Sequence, residues 1–372
     1  MKKLGFGMMR LPQTDPKDWT KIDTEACREM IDRYLAAGFT YFDTAYVYHG
    51  GMSETIFGQL VAARYPRDKY ILATKMPVFD IRSVEEYEKI FGEQLERCRV
   101  SYFDYYLLHC VGKSLYPRME QQGAFAFLRE KKAAGMIRHA GFSYHDDATT
   151  LDRILSDHPE TEFVQLQLNY ADWENEGIQS RMCYEVCVNH GKPVIVMEPL
   201  KGGALIDLPD KAGRLLNSVA PKDSFAKWGL RFAASPDAVF MVLSGMSDLA
   251  QLAENMAIMD DPLPLNEGER EAIREAAELI NSRAAVPCTS CRYCLENCPC
   301  GIAIPEYFAL YNNAKQFGKR AVHEVTFDNI AENKGKPSQC ISCKKCEEHC
   351  PQHIAICNYL KDVAKMFECE HN

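Results

Sequence analysis

Sixteen cysteines occur in this chain, and eight of them repeat one spacing twice: Cys288-x2-Cys291-x2-Cys294-x3-Cys298-Pro299 and Cys340-x2-Cys343-x2-Cys346-x3-Cys350-Pro351. Eight thiolates at that spacing are what two [4Fe-4S] clusters require. The short gaps let the backbone wrap three corners of a cube. The Cys-Pro step then turns the chain away, because proline fixes its own φ and restricts the residue before it. Zinc sites and disulfides also use cysteine densely. Structural zinc usually takes two Cys pairs split by a longer loop, a poor match to three closely spaced ligands plus a fourth. Disulfides belong to secreted chains, whereas Met1-Lys2-Lys3 leads into Gly5-Phe6-Gly7 and polar residues with no apolar signal stretch.

The same run occurs in bacterial two-cluster ferredoxins, where the fourth cysteine of each run serves the other cluster. On that rule one cluster takes Cys288, Cys291, Cys294 and Cys350, and the other takes Cys340, Cys343, Cys346 and Cys298. Cys300 stands close enough to a run to be weighed as a substitute ligand. Cys27, Cys98, Cys110, Cys183, Cys187, Cys357 and Cys369 share no ligand spacing and read as buried small hydrophobes or reduced thiols, which points to a cytoplasmic setting.

A second group of reactive side chains lies far upstream. Phe42-Asp43-Thr44-Ala45-Tyr46-Val47-Tyr48-His49-Gly50 closes one apolar run and is followed by Ser53-Glu54, while Lys75 and His109 close the next two runs. Each has an ordinary reading alone: an Asp–Lys ion pair, a core histidine, a core aromatic. Their common position at the ends of successive runs is what singles them out.

The runs themselves predict strands at Lys3–Gly7, Thr40–Asp43, Tyr70–Thr74, Tyr105–His109, Ile137–Phe142, Phe163–Leu168, Pro193–Met197 and Val239–Leu243, alternating with amphipathic stretches. Among the latter, Ser83 and Glu86 form a candidate capping box ahead of Tyr87, Ile90, Phe91, Leu95 and Cys98. Met30, Ile31, Tyr34 and Leu35 share a helix face that Gly38 closes. Eight such units make an α/β chain of (β/α)8 TIM-barrel type, whose chemistry sits at the C-terminal strand ends. The rival is an open doubly wound sheet, against which the absence of a GxGxxG fingerprint argues. A last helix from Glu267 to about Ser282 leads to a boundary near Ala285, giving a barrel at 1–284 and a cluster-bearing domain at 285–372. Tyr307, Phe308, Leu310 and Tyr311 keep helical spacing between the two cysteine runs, so the second domain is expected to be a small, mostly helical dicluster ferredoxin-like unit.

Asp-Thr-Ala-x-x-Tyr at Asp43 to Tyr48, with Lys75 and His109 at the following strand ends, resembles the aldo-keto reductase family over about residues 3–258. The resemblance implies hydride transfer between NADPH or NADH and a small-molecule carbonyl or alcohol. Reduction leaves an alkoxide that needs a proton, and tyrosine is a weak acid at about 10. An ammonium at Lys75 would favour the Tyr48 phenolate and so lower its pKa, Asp43 would hold that ammonium, and His109 would orient the carbonyl oxygen.

For the nicotinamide, the resemblance implies Ser143 and Gln165 at the carboxamide, although Tyr144 replaces the family's Asn. Leu200 and Gly202, in Met197-Glu198-Pro199-Leu200-Lys201-Gly202-Gly203, match the loop over the pyrophosphate, with Met197 in place of a stacking aromatic. Gly245, Gln251 and Asn255 match the adenosine end. Gly245 and Gln251 stand where a Lys and an Arg often clamp the 2′-phosphate, which leaves NADPH and NADH both open.

A hydride carries two electrons and each cluster normally passes one. A flavin, bound here or on a redox partner protein, would reconcile the two, but no flavin motif is evident. Two other readings stay open: an electron-transfer protein whose barrel docks a redox partner, and a non-catalytic nicotinamide-binding barrel with structural clusters. Interspersed charges summing to −9 argue against nucleic acid, and no apolar run approaches the roughly 20 residues needed to span a membrane. Trp173 and Tyr170 are candidates for the substrate pocket.

Overall fold

The computed structural model describes residues 1–15, 18–176, 178–282, 284–288, 294–295, 298–348, 350 and 353–368. Its first compact unit comprises residues 1–174, 178–206 and 223–267, and its second comprises 175–177, 207–222 and 268–372.

In the first unit β1 (Leu4–Gly7), β2 (Tyr41–Asp43), β3 (Ile71–Met76), β4 (Phe103–Val111), β5 (Ile137–Tyr144), β6 (Phe163–Gln167), β7 (Val194–Met197) and β8 (Val239–Gly245) close into one barrel in chain order. Every pair is parallel, and β1 returns to β8 with Leu4 opposite Val242. These strands are buried on both faces, which is why their sequences read as nearly continuous apolar runs. Tyr41, Ala73, Leu107, Phe163, Ile195, Met241 and Leu243 fill the interior, and a larger apolar layer lies between strands and helices.

All eight expected strands are present. The differences are at their ends: β3 continues to Met76 and β4 to Val111, so Lys75 and His109 lie just inside their strands. The β4–β5 register shifts between Leu108 and Val111, and Cys110 adopts a φ of 57°. Such a bulge re-aims the neighbouring side chain, here His109.

The capping box does not form. Helix Glu85–Cys98 begins after Val84 without a side-chain cap, and Glu86 instead accepts from the Arg82 N–H at 2.7 Å. Gly38 does close helix Thr24–Ala36, with a φ of 80° and its N–H on the Leu35 carbonyl at 3.0 Å.

Gly141 on β5 marks a close approach of backbone. A Cβ there would stand 2.4 Å from the Phe163 carbonyl oxygen and 2.7 Å from the Phe163 ring. Gly141→Ala should therefore lower the unfolding free energy by roughly 1–3 kcal/mol, the usual range for overpacking. A denaturant titration checks it; an unchanged midpoint would show that β5 and β6 yield freely.

The second unit holds helices Asp210–Val219, Glu267–Asn281, Ile304–Phe317, Ala321–Asn333, Lys345–Glu348 and Ile356–Phe367, with no strand among its described residues. Its core joins Val286, Tyr307, Phe308, Tyr311, Phe327, Leu360 and Phe367, and Phe327 stacks on Phe367 at 5.5 Å between centroids. The two cysteine runs exit alike. Gly301 and His353 donate to the carbonyls of Cys298 and Cys350 at 3.1 and 3.0 Å, and Ile304 and Ile356 then open their helices. Gly301 (φ 60°) and His353 (φ 51°) are both left-handed, so the third residue after each fourth cysteine shares one backbone conformation. Among the described residues no helix is long and apolar enough to cross a membrane.

Candidate active site

The ends of β2, β3 and β4 bring three of the four expected groups together, and the turn Tyr48–Gly51 adds the fourth. His49, Gly50 and Gly51 take consecutive positive φ values of 52°, 62° and 89°, which folds the chain back directly after Tyr48. Lys75 is completely enclosed, at 0% exposure. Its Nζ lies 2.5 Å from Asp43 Oδ1 and 2.8 Å from the Thr44 carbonyl. The same Nζ stands 4.8 Å from the Tyr48 ring centroid, and the Tyr48 and His109 rings meet edge-on at 5.8 Å.

Tyr46 is not part of this group. Its hydroxyl donates to Glu93 Oε2 at 2.7 Å and Arg97 covers its ring at 4.2 Å. His49 is structural: Nε2 accepts from the Leu11 N–H at 3.3 Å, and Nδ1 lies 2.6 Å from the Trp19 carbonyl.

Burial and charge set the protonation states. Packing around Tyr48 pushes its phenol up to about 12, against the downward pull of the Lys75 charge and hydrogen bond. The ammonium acts in the expected direction, but burial outweighs it. Burial also pushes the Asp43 carboxyl up while Lys75 pulls it down. The Lys75 ammonium, resisting desolvation through Asp43, is held above the usual lysine range. Desolvation, with Lys75 and His145 adding repulsion, drives His109 well below the ordinary imidazole value, so its ring is neutral. His109 Nδ1 and Asp43 Oδ2 are buried without a protein partner.

A buried polar cluster behind the site fixes the strand that carries Lys75. Gln94 donates to the Lys75 carbonyl at 3.0 Å and to Glu54 Oε1 at 2.7 Å, and Thr74 donates to the same Glu54 oxygen at 2.6 Å. Tyr106 closes the cluster on Gln94 Oε1. Nothing in the sequence gives Glu54 a role or marks Gln94, whose partners lie on other elements. His145, directly after β5, is likewise unmarked in the sequence. Desolvation and the Lys75 charge push the His145 imidazole down to about 4, although the residue as a whole is exposed.

The groups assigned to a nicotinamide fall on the next strands. Ser143 on β5 is buried, and its Oγ accepts from the Cys110 N–H at 2.9 Å, leaving the hydroxyl hydrogen free to donate. Gln165 on β6 reaches Met197 Sδ with Nε2 at 3.4 Å, while its buried Oε1 has no partner. An unpaired amide oxygen beside a hydroxyl donor fits a carboxamide, which needs one acceptor and one donor. Tyr144 turns away, donating to the Asp147 carbonyl at 2.6 Å.

Gly202 and Gly203 have φ values of 62° and 86°, and Leu200 is half-buried before them. Gly245 ends β8. Gln251 Oε1 accepts from the Ser247 N–H at 2.9 Å, and buried Asn255 donates to Ser244 Oγ at 3.0 Å, so both brace the β8 loop. Tyr170 and Trp173 pack on Phe232 at 6.1 and 5.6 Å. A cavity of about 470 Å³ lined by Tyr105, His139, Glu162, Phe163 and Phe240 opens at the N-terminal strand ends. That end of a barrel serves stability rather than chemistry.

In the second unit Cys298, Cys340, Cys343 and Cys346 all line one small cavity, the set expected for one cluster. Cys300 and Cys357 line it too. Among the described residues no three His, Cys, Asp or Glu side chains converge on a point as a single ion needs. Thiols ranged around one cavity are donors of the kind that the corners of a cubane take, and left-handed Ser342 and Lys344 (φ 57° and 60°) wind the chain between them. Of the other set, Cys294 and Cys350 are buried in the apolar core with Cys288 packed against it, and Cys291 lies outside the described residues.

Comparison with known proteins agrees with both halves. The sequence model of the aldo/keto reductase family matches residues 3–278, and that of a 4Fe-4S dicluster domain matches 287–355. L-galactose dehydrogenase of Arabidopsis thaliana is 28% identical over 249 residues, covering 60% of this chain and 75% of that protein. Aldo-keto reductase AKR11C1 from Bacillus halodurans, solved in a holo form, superposes with a TM-score of 0.59 at 24% identity, covering 74% of this chain and 91% of that one. An aldo-keto reductase from Klebsiella pneumoniae in complex with NADPH gives 0.55 at 21% identity, covering 73% and 90%. With more than half its length matched, this chain belongs to the aldo/keto reductase family and carries a 4Fe-4S dicluster domain after its barrel.

Proposed function

We propose that the protein is a nicotinamide-dependent oxidoreductase that reduces a small-molecule carbonyl, with the catalytic barrel in residues 1–284 and two [4Fe-4S] clusters in 285–372. The observation that carries this reading is the enclosed Lys75 ammonium held between Asp43 and the Tyr48 ring. When bound, the nicotinamide supplies the hydride. Tyr48 delivers the proton to the developing alkoxide, and Lys75 stabilises the phenolate left behind. Asp43 anchors the ammonium, and neutral His109 orients the carbonyl oxygen. Ser143 and Gln165 hold the carboxamide, with Leu200, Gly202, Gly245, Gln251 and Asn255 along the rest of the dinucleotide. The NADPH complex of the Klebsiella relative supports such a cofactor. The thiolates of Cys288, Cys291, Cys294 and Cys350, and of Cys340, Cys343, Cys346 and Cys298, hold the two clusters, whose one-electron chemistry serves a redox partner.

The protonation states give a test. A general acid must be protonated, and the Tyr48 phenol, pushed up to about 12, stays so through neutral pH. His109, driven well below the ordinary value, stays neutral over the same range. Anaerobic turnover of simple aldehydes with NADH or NADPH should therefore show a carbonyl-reduction rate that is flat from about pH 6 to 9. A break near pH 7 would contradict these assignments, and no turnover with either nucleotide would defeat the enzyme reading.

A further inference from the structure

The tetrad occupies the C-terminal ends of β2 to β4 and the turn after β2, and the carboxamide groups stand on β5 and β6. The remaining arc of the barrel is β7, β8 and β1, paired in that order. Across this arc lies Arg10, on the loop after β1. A Cβ on Gly245 would stand 2.9, 3.0 and 3.1 Å from Arg10 Cδ, Cγ and Cβ, so the arginine stem runs through the space any side chain at 245 would need. At its far end, Arg10 Nη2 comes within 3.1 Å of where a Gly202 Cβ would be, and Glu198 Oε2 within 3.4 Å of the same point. Ser247 Oγ donates to the Arg10 carbonyl at 2.9 Å and fixes the backbone from which the side chain springs.

The loop after β7 is strained as well as bare. Glu198 and Lys201 have φ values of 56° and 49°, followed by left-handed Gly202 and Gly203. Its own cation is committed elsewhere, since Lys201 Nζ pairs with Asp172 at 2.5 Å. The Arg10 guanidinium has no hydrogen-bond or ion-pair partner among the described residues. An arginine fork matches a phosphate bidentately and has donors on more than one edge, so it can face Glu198 and an anion together.

We infer that Arg10 is the phosphate-holding residue of the dinucleotide site, and that it engages the pyrophosphate shared by NADH and NADPH rather than the 2′-phosphate of NADPH alone. The inference rests on the nicotinamide reading above. The pyrophosphate lies midway along the dinucleotide. The guanidinium ends at the β7 loop, next to the β6 strand that carries Gln165, whereas a 2′-phosphate belongs at the far end. Gly245 is glycine so that Arg10 can pass.

Calorimetric titration of the full chain with NADH and with NADPH tests it without reliance on turnover. R10A should weaken both by a similar factor, about 10- to 100-fold, as for loss of a hydrogen bond to a charged group. R10K should recover part of that. G245A should weaken both nucleotides in the wild type yet add little in the R10A background, because it acts by displacing the same side chain. R10A that leaves NADH affinity unchanged overturns the inference, whether or not NADPH is weakened. A wild-type chain that binds neither nucleotide overturns the nicotinamide reading itself, and the inference with it.

Discussion

Tyr48→Phe should reduce carbonyl turnover by about 10²- to 10⁴-fold, the usual contribution of a positioned general acid. Nicotinamide affinity should stay within about twofold, because uniform binding does not depend on the proton donor. The substitution removes one oxygen and keeps the ring that Lys75 faces at 4.8 Å and His109 meets at 5.8 Å, so the site should keep its shape. Rapid-mixing measurements of the first turnover separate chemistry from release, and a thermal melt confirms the fold. Undiminished first-turnover rates would remove Tyr48 from the mechanism and return the barrel to a binding role. The large expected loss follows from a lack of substitutes. His109 and His145 are both pushed toward the neutral form, so neither carries a spare proton at pH 7.

That site was legible in the sequence to the extent that its parts lie at strand ends. Asp43, Lys75 and His109 each close an apolar run, and a run buried on both faces announces itself by composition alone. Tyr48 follows within the same short segment as Asp43. What stayed hidden depends on distant pieces meeting. Gln94 reaches Glu54 across forty positions, and nothing local in either marks the partnership. The net Tyr48 shift was hidden for a related reason: the ammonium that pulls the phenol down is visible in the sequence, but the burial that outweighs it is a property of the closed barrel. His145 lies one residue beyond the segment that resembled the family's carboxamide pair. Arg10 has significance only through the path its stem takes over Gly245. The absent cap at Ser83 has a different, local cause: Glu86 accepts from the backbone N–H of Arg82, one residue before the expected donor.

The cysteine region was legible because its rule is one of spacing, and the cavity gives that rule a sharp test. Cys298 is closer in sequence to Cys288 than to Cys340, yet it lines the same cavity as Cys340, Cys343 and Cys346. Anaerobically prepared protein should contain about eight irons and eight sulfides per chain if both quartets are filled. With crossed ligation, Cys298 and Cys340 serve one cluster. The double variant Cys298→Ala with Cys340→Ala should then lose no more than either single variant and keep about four irons, while Cys298→Ala with Cys350→Ala should lose both clusters. Cys300 and Cys357 line the same cavity, so the comparison belongs in a background where both are alanine. Iron and sulfide analysis with electron paramagnetic resonance of the reduced protein reads the result. If Cys298→Ala with Cys288→Ala is the pair that spares four irons, ligation follows sequence order and the crossed assignment fails. Zinc in stoichiometric amount without sulfide would overturn the cluster reading altogether. Crossed ligation also has a mechanical consequence: each cluster ties the turn at one run's fourth cysteine to the loop of the other run. Loss of either cluster should therefore loosen both halves of the unit, because the helices opening at Ile304 and Ile356 each begin six residues after a fourth cysteine.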